Sequence, residues 1–222
     1  YDSVTHEPIP SNLESTVTQT ATLKRNKIYD DQNNFIGYGT VSADGSIYTI
    51  YNSWKVDAQT WTQQDSADLS DYGYTAPDRA SVAAVTVDGN TTNVTEKVYY
   101  GHQTMPVTPT DPKTPGEPIN PKGDVTYPDG VAKDYLTATV KRTINYVDEN
   151  GNKVNGAPDG TSSYVQTAEF TRTAIVDKVT GKILCYDTNN DGKVDTENAN
   201  RAWTPIEKTL ETVKSADPSS VG

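Results

Sequence analysis

The sequence predicts a β-rich protein, α+β at most, built as two tandem copies of one small sheet-forming module. Three observations carry this: an internal repeat, a period of two inside it, and a composition suited to pleated sheets. The string QTAEFTR at residues 166–172 echoes QTATLKR at 19–25, an offset of 147 (166 − 19). Val17, Gln19, Ala21, Leu23 and Arg25 alternate to one side in the first copy, as Tyr164, Gln166, Ala168, Phe170 and Arg172 do in the second. Period two over that length is a strand with one face toward a core. Farther on, Trp54 to Gly73 and Trp203 to Gly222 recur at an offset of 149 (203 − 54), and Ser66-Ala67-Asp68 returns as Ser215-Ala216-Asp217. The change of offset implies a two-residue insertion between the blocks, and a repeat of this kind decides the architecture.

Composition agrees. Of 222 residues only 33% are apolar, Phe (2) and Met (1) are scarce, and Tyr (14), Thr and Val supply the buried surface. Such side chains suit half-buried sheets better than helix cores. Each copy has a small core, near the lower limit of what folds alone. The net charge of −11 argues against nucleic acid, whose phosphates demand a basic patch, and disfavours anionic membranes; its plain reading is a solvated surface. The single cysteine, Cys185, has no intramolecular disulfide partner and reads as a small buried hydrophobe. No apolar run approaches the ~20 residues of a membrane span, and no signal peptide is recognisable. The chain reads as a segment of something longer, cut out of phase with its repeat.

Taken in order, residues 1–15 are polar and carry Pro8 and Pro10, which do not suit a central strand. After the first echo, residues 27–51 read as strands joined by turns at Asn33-Asn34 and Asp44-Gly45. Residues 54–71 read as a short helix or an irregular crossing. Residues 82–87 and 94–100 read as strands joined by a turn at Asp88-Gly89-Asn90. Pro106, Pro109, Pro112, Pro115, Pro118 and Pro121 then fall every third residue, which reads as a polyproline II or disordered spacer. The second copy opens with an alternating strand over 136–146 and a turn at Asn150-Gly151. The expected division is therefore a first module at 1–105 without its N-terminal strand, a spacer at 106–134, and a second module at 135–222 without its C-terminal strands.

Residues 140–151 (VKRTINYVDENG), 166–172 and 177–181 (DKVTG), with Trp203-Thr204 and, in the first copy, 73–78 (GYTAPD) and 94–100, resemble the Mub-type mucus-binding (MucBP) repeats of Gram-positive, lactic-acid bacterial surface adhesins. The resemblance covers nearly all of the chain outside the proline stretch. It implies β-grasp (ubiquitin-like) modules strung into an elongated rod, extracellular and attached to the cell wall. It also implies adhesion to mucin glycans and glycoproteins, with immunoglobulins as further partners and neighbouring repeats of the same polypeptide alongside. The chain departs from the pattern at its ends, between Asn26 and Tyr51, and in an acidic insertion of the second copy.

That insertion is the one site-like motif. Asp187, Asn189, Asp191 and Asp195 stand at positions 1, 3, 5 and 9 of a loop with Gly192 at 6, the Lys193 carbonyl at 7 and Asn198 at 12. Calcium wants six to eight oxygens around a sharply folded backbone. Against this stand Asn198, where a bidentate Glu is usual, and the alternative of an acidic Asp-Gly hairpin loop. At an offset of 147, Asp191-Gly192 falls on Asp44-Gly45, but Asp187, Asn189 and Asp195 fall on Thr40, Ser42 and Tyr48. The turn is shared; the extra ligands are not, so a weak structural Ca2+ site is expected. Trp54 and Trp203 read as core anchors, Arg25 and Arg172 as strand-end salt-bridge partners, and the tyrosines as packing. Two functions fit: a non-catalytic adhesion module whose tandem copies add avidity, or a stalk that projects binding domains located elsewhere. A glycosidase needs two facing carboxylates, and here Asp and Glu lie scattered through turns.

Overall fold

Alternating β-branched and aromatic residues form strands, and the chain is β-rich as that patterning predicts. The computed structural model describes residues 1–41, 43–44, 48–50, 59–187, 189, 191–195, 203–205 and 207–217. Two compact units emerge, residues 1–70 with 75–101, and residues 71–74 with 102–222.

In the first unit β1 (Asn26–Tyr29), β2 (Phe35–Val41) and β3 (Tyr48–Ile50) make an antiparallel sheet in that order. Strands β4 (Gln59–Trp61) and β5 (Gln64–Asp65) pair with β8 (Val85–Val87) and β7 (Ser81–Val82) respectively. Ile9, Ile28, Leu69, Val87 and Tyr100 are buried. A 3-10 turn at Ser70–Tyr72, β6 (Tyr74–Pro77) and β9 (Tyr100–His102) lie where the chain passes between units.

In the second unit β10 (Thr104–Val107) begins the fold, a short helix α1 (Lys133–Leu136) follows, and β11 (Thr137–Asn145) pairs along its whole length with β12 (Ser163–Thr171). Strands β13 (Thr173–Asp177) and β14 (Ile183–Asp187) complete a sheet of order β10-β13-β14. Val107, Val131, Leu136, Ala174 and Val176 form its fully buried cluster, against which Met105, Ile119, Tyr127, Ile183 and Tyr186 pack. Each fully buried Val or Leu contributes about 1.5–3 kcal/mol. No helix among the described residues is long and apolar enough to cross a membrane.

The stretch expected to be a spacer is part of this fold. Pro106 sits within β10 opposite Ile175, Val107 and Val131 are fully buried, and the Asn120 amide donates to the Lys178 carbonyl at 2.6 Å. β10 lies at a sheet edge, where a proline costs no ladder bond. A triplet proline spacing therefore does not separate a linker from an extended segment laid over a core.

The echoed segments behave differently in the two units. Residues 164, 166, 168 and 170 turn inward from β12. Residues 19, 21, 23 and 25 show the same alternation of burial, yet residues 16–23 form no ladder among those described. Among the described residues no counterpart of β11 flanks them, and a strand is defined by its partner. The region between Asn26 and Tyr51, where the copies match poorly in sequence, matches well in register. Asn26, Lys27, Ile28 and Tyr29 oppose Gly39, Tyr38, Gly37 and Phe35, with an irregularity after Ile28. Thr173, Ala174, Ile175 and Val176 oppose Asp187, Tyr186, Cys185 and Ile183, with the irregularity after Ile175. The offset is 147 on the first strand (173 − 26) and 148 on the second (187 − 39). One inserted residue thus lies in the β13–β14 turn, and the other lies between Asp187 and Trp203. Asp187 corresponds to Gly39, not to Thr40 as a constant offset implies.

Candidate functional site

The acidic loop leaves the end of β14, which delivers Asp187 into a fully buried position. Its carboxylate accepts the Asn189 N–H at 3.1 Å and the Gly192 N–H at 2.8 Å. The Asn189 side-chain oxygen accepts the Asp191 N–H at 2.9 Å, and the Asp191 carboxylate accepts the Lys193 N–H at 2.9 Å. These nested turns, with Gly192 at φ 76, curl the backbone so that the side chains of Asp187, Asp191 and Asp195 converge. One carboxylate oxygen from each of Asp187, Asp191 and Asp195 lies within 4.8 Å of the others. Asp195 is held by its N–H, which donates to Cys185 Sγ at 3.3 Å. Cys185 is a free, half-buried thiol, used here as an acceptor. The donor set is all oxygen, which fits a hard divalent cation, and three converging like charges repel until one is bound. Asn198 lies outside the described residues.

A second recurrent arrangement is the arginine that ends each echo. The Arg172 guanidinium lies 4.0 Å from the Tyr186 ring centroid and 4.4 Å from that of Trp203, and its Nε donates to the Tyr135 carbonyl at 2.6 Å. Arg25 stands 3.6 Å over the Tyr38 ring. The expected strand-end salt bridge is replaced, for Arg172, by stacking and a carbonyl. A planar guanidinium against two aromatic rings gains cation–π attraction from both. Trp203 is half-buried against this cation; Trp54 lies outside the described residues.

The echoed glutamines make the same long-range contact. Gln19 Nε2 donates to the Thr62 carbonyl at 2.9 Å, and Gln166 Nε2 donates to the Glu211 carbonyl at 2.9 Å. Thr62 and Glu211 are themselves repeat equivalents at the offset of 149 (211 − 62). In the first unit the Thr62 N–H also donates to Gln19 Oε1 at 2.6 Å, whereas Gln166 Oε1 is buried without a partner.

Sequence reasoning missed a buried polar knot in the second unit. His102 Nδ1 lies 2.8 Å from Asp177 Oδ2, both side chains almost fully buried, and the Tyr74 ring meets the imidazole edge-on at 5.8 Å. Burial disfavours the ionised Asp177 carboxyl, yet the His102 imidazole and the Val179 and Thr180 N–H groups outweigh it and hold its pKa below the usual carboxylate value. Beside it the Gln103 side chain accepts from Lys178 Nζ at 2.6 Å and donates to the Tyr74 carbonyl at 2.7 Å. Gly73, at φ 89, fits here because a Cβ would stand 2.7 Å from the Lys178 carbonyl oxygen. The legible signal was Asp177 opening a DKVTG turn; nothing in sequence pairs it with a histidine 75 residues away.

Compared with known proteins, the chain matches the family described as Muc B2-like domain twice, over residues 9–104 and 131–220. No curated protein and no solved structure matches it. The two matches leave out residues 105–130, the stretch that the fold packs into the second unit.

Proposed function

The chain belongs to the Muc B2-like domain family, and on that premise we propose that it is a non-catalytic adhesion repeat of an extracellular, wall-attached surface protein, which binds mucin glycoproteins. The observation that carries this reading is the double family match on two units with the same hairpin register and bulge. Two weak sites on one polypeptide gain affinity through effective concentration without any new contact. Immobilised mucin tests it: the chain is retained, and retention falls when the glycans are removed enzymatically. Retention on immunoglobulin would add the second partner, and no retention on either at high protein concentration would leave the stalk role.

The acidic loop of the second unit is assigned a Ca2+ ion, held by carboxylates of Asp187, Asp191 and Asp195 with Asn189, the Lys193 carbonyl and Asn198 completing the set. What supports it is the convergence of three carboxylates on one centre, one of them buried. The ion would supply charge neutralisation and rigidity to the segment between β14 and Trp203. Calcium is expected to raise the unfolding temperature by linkage, and Asp191→Ala to abolish that rise; an unchanged wild-type transition in excess calcium would refute the site.

A further inference from the structure

The arginine that ends the second echo is held in place without a carboxylate. Acidic residues outnumber basic ones in this chain by 30 to 19, yet among the described residues Arg172 makes no ion pair. Its Nε–H is taken by the Tyr135 carbonyl at 2.6 Å, while Nη1 and Nη2 have no hydrogen-bond partner among the described residues. The group is nevertheless fixed from several sides. Tyr186 and Trp203 lie against it at 4.0 and 4.4 Å, and the Arg172 N–H donates to the Leu136 carbonyl at 3.0 Å. Trp203 is anchored in turn by the reciprocal backbone bonds of Thr171 and Thr204, at 2.9 and 2.7 Å. Beside the cation Tyr135 is 53% exposed.

The arrangement belongs to the module and not to one copy. Arg25 stands 3.6 Å over Tyr38, and the Tyr38 and Tyr186 positions correspond through the shared hairpin register. Both arginines are half-buried, one in a unit that holds β4, β5, β7 and β8, the other in a unit that holds β10 and β11. Neither set of elements closes over the cation. Two N–H donors in a rigid fork match a carboxylate or sulfate bidentately, and a fork already held loses little freedom on binding. We propose that Arg172 is an oxyanion-binding site, flanked by Tyr135, Tyr186 and Trp203, which takes the carboxylate or sulfate ester of an acidic sugar. This rests on the mucin-binding reading and names the part of the glycan that is held.

Titration of the isotope-labelled chain at low salt tests it, with sialyllactose supplying a carboxylate, sulfated lactose a sulfate ester, and lactose neither. The Arg172 Nε–H and Trp203 indole N–H resonances should shift with at least one acidic sugar, and which one responds identifies the anion. Lactose should bind about tenfold more weakly or worse, the loss expected for a charge-assisted pair of hydrogen bonds. Arg172→Gln should remove the advantage of the acidic sugar at the Trp203 resonance. Arg172→Lys, which keeps the charge but not the fork, should lose most of it. Should either variant fail to fold, the wild-type titration decides alone. Equal affinity for all three sugars, or shifts confined to residues away from Arg172 and Trp203, overturns the site. Retention of the chain on mucin that is unaffected by Arg172→Gln also overturns it and leaves adhesion standing, whereas no retention on any mucin fails the adhesion reading beneath it.

Discussion

The two hairpins, β1–β2 and β13–β14, share strand pairing, bulge position and a capping aspartate, yet one is half open and the other is enclosed. Asp30 accepts the Gln32 and Asn34 N–H groups as Asp177 accepts those of Val179 and Thr180. At the end of each turn a residue adopts positive φ, Asn33 at 64 and Gly181 at 69. The difference begins above the turn. Over the second hairpin lie residues 105–131, close enough that a Cβ on Gly181 would stand 2.8 Å from the Thr126 carbonyl oxygen. What the comparison teaches is that local pairing sets the hairpin, while the covering segment decides which of its residues are core and which must be glycine.

The largest expected break is at the centre of the covered face. Leu136→Ala leaves a cavity in the enclosed cluster and should destabilise the second unit by ~2–5 kcal/mol, read as faster exchange of the β13 amides. Phe35→Ala on the open hairpin should cost below ~1 kcal/mol by the same measure, since its ring is already half solvated. Equal losses would mean that the two faces are not different after all.

The turn offers a sharper contrast. Gly181→Asn retains a residue that tolerates positive φ but drives its Cβ into Thr126, and should cost ~1–3 kcal/mol. The reverse change, Asn33→Gly, should alter the first unit by only ~0.5 kcal/mol. Chemical denaturation followed by probes specific to each unit separates the two outcomes.

Acid should act on the enclosed unit through Asp177. Its folded pKa lies below the unfolded value, so its stabilisation is present above about pH 4 and is lost as pH falls through the folded pKa. Thermal unfolding between neutral and strongly acid pH should show this loss in the second unit, and Asp177→Asn should flatten that part of the profile. A profile unaffected by the substitution would remove His102–Asp177 as the cause.

The smallest contrast concerns the echoed glutamines. Gln19 is satisfied at both ends of its amide, so Gln19→Leu should cost about 1 kcal/mol. Gln166 makes one bond and leaves Oε1 buried and unpaired, so Gln166→Leu should be close to neutral. A larger cost at Gln166 would reveal a partner for that oxygen.

Much of this was legible in residue order. The repeat, the period of two in β12, the turn aspartates and the glycine at position 192 are all local signals, because alternation and turn chemistry act over a few residues. The three carboxylates of the acidic loop also sit at fixed spacing, so their convergence followed from sequence once the turns formed. Other features had no such signal. Nothing in sequence distinguishes a proline stretch that spans a gap from one that lies over a core, since both are extended and polar. Arg172 between two rings and His102 against Asp177 depend on side chains brought together over 31 and 75 residues. Local composition thus determined that the chain forms two β-rich units with matching hairpins. Only the tertiary structure decided which hairpin is covered, because burial is a property of what packs against a strand and not of the strand itself.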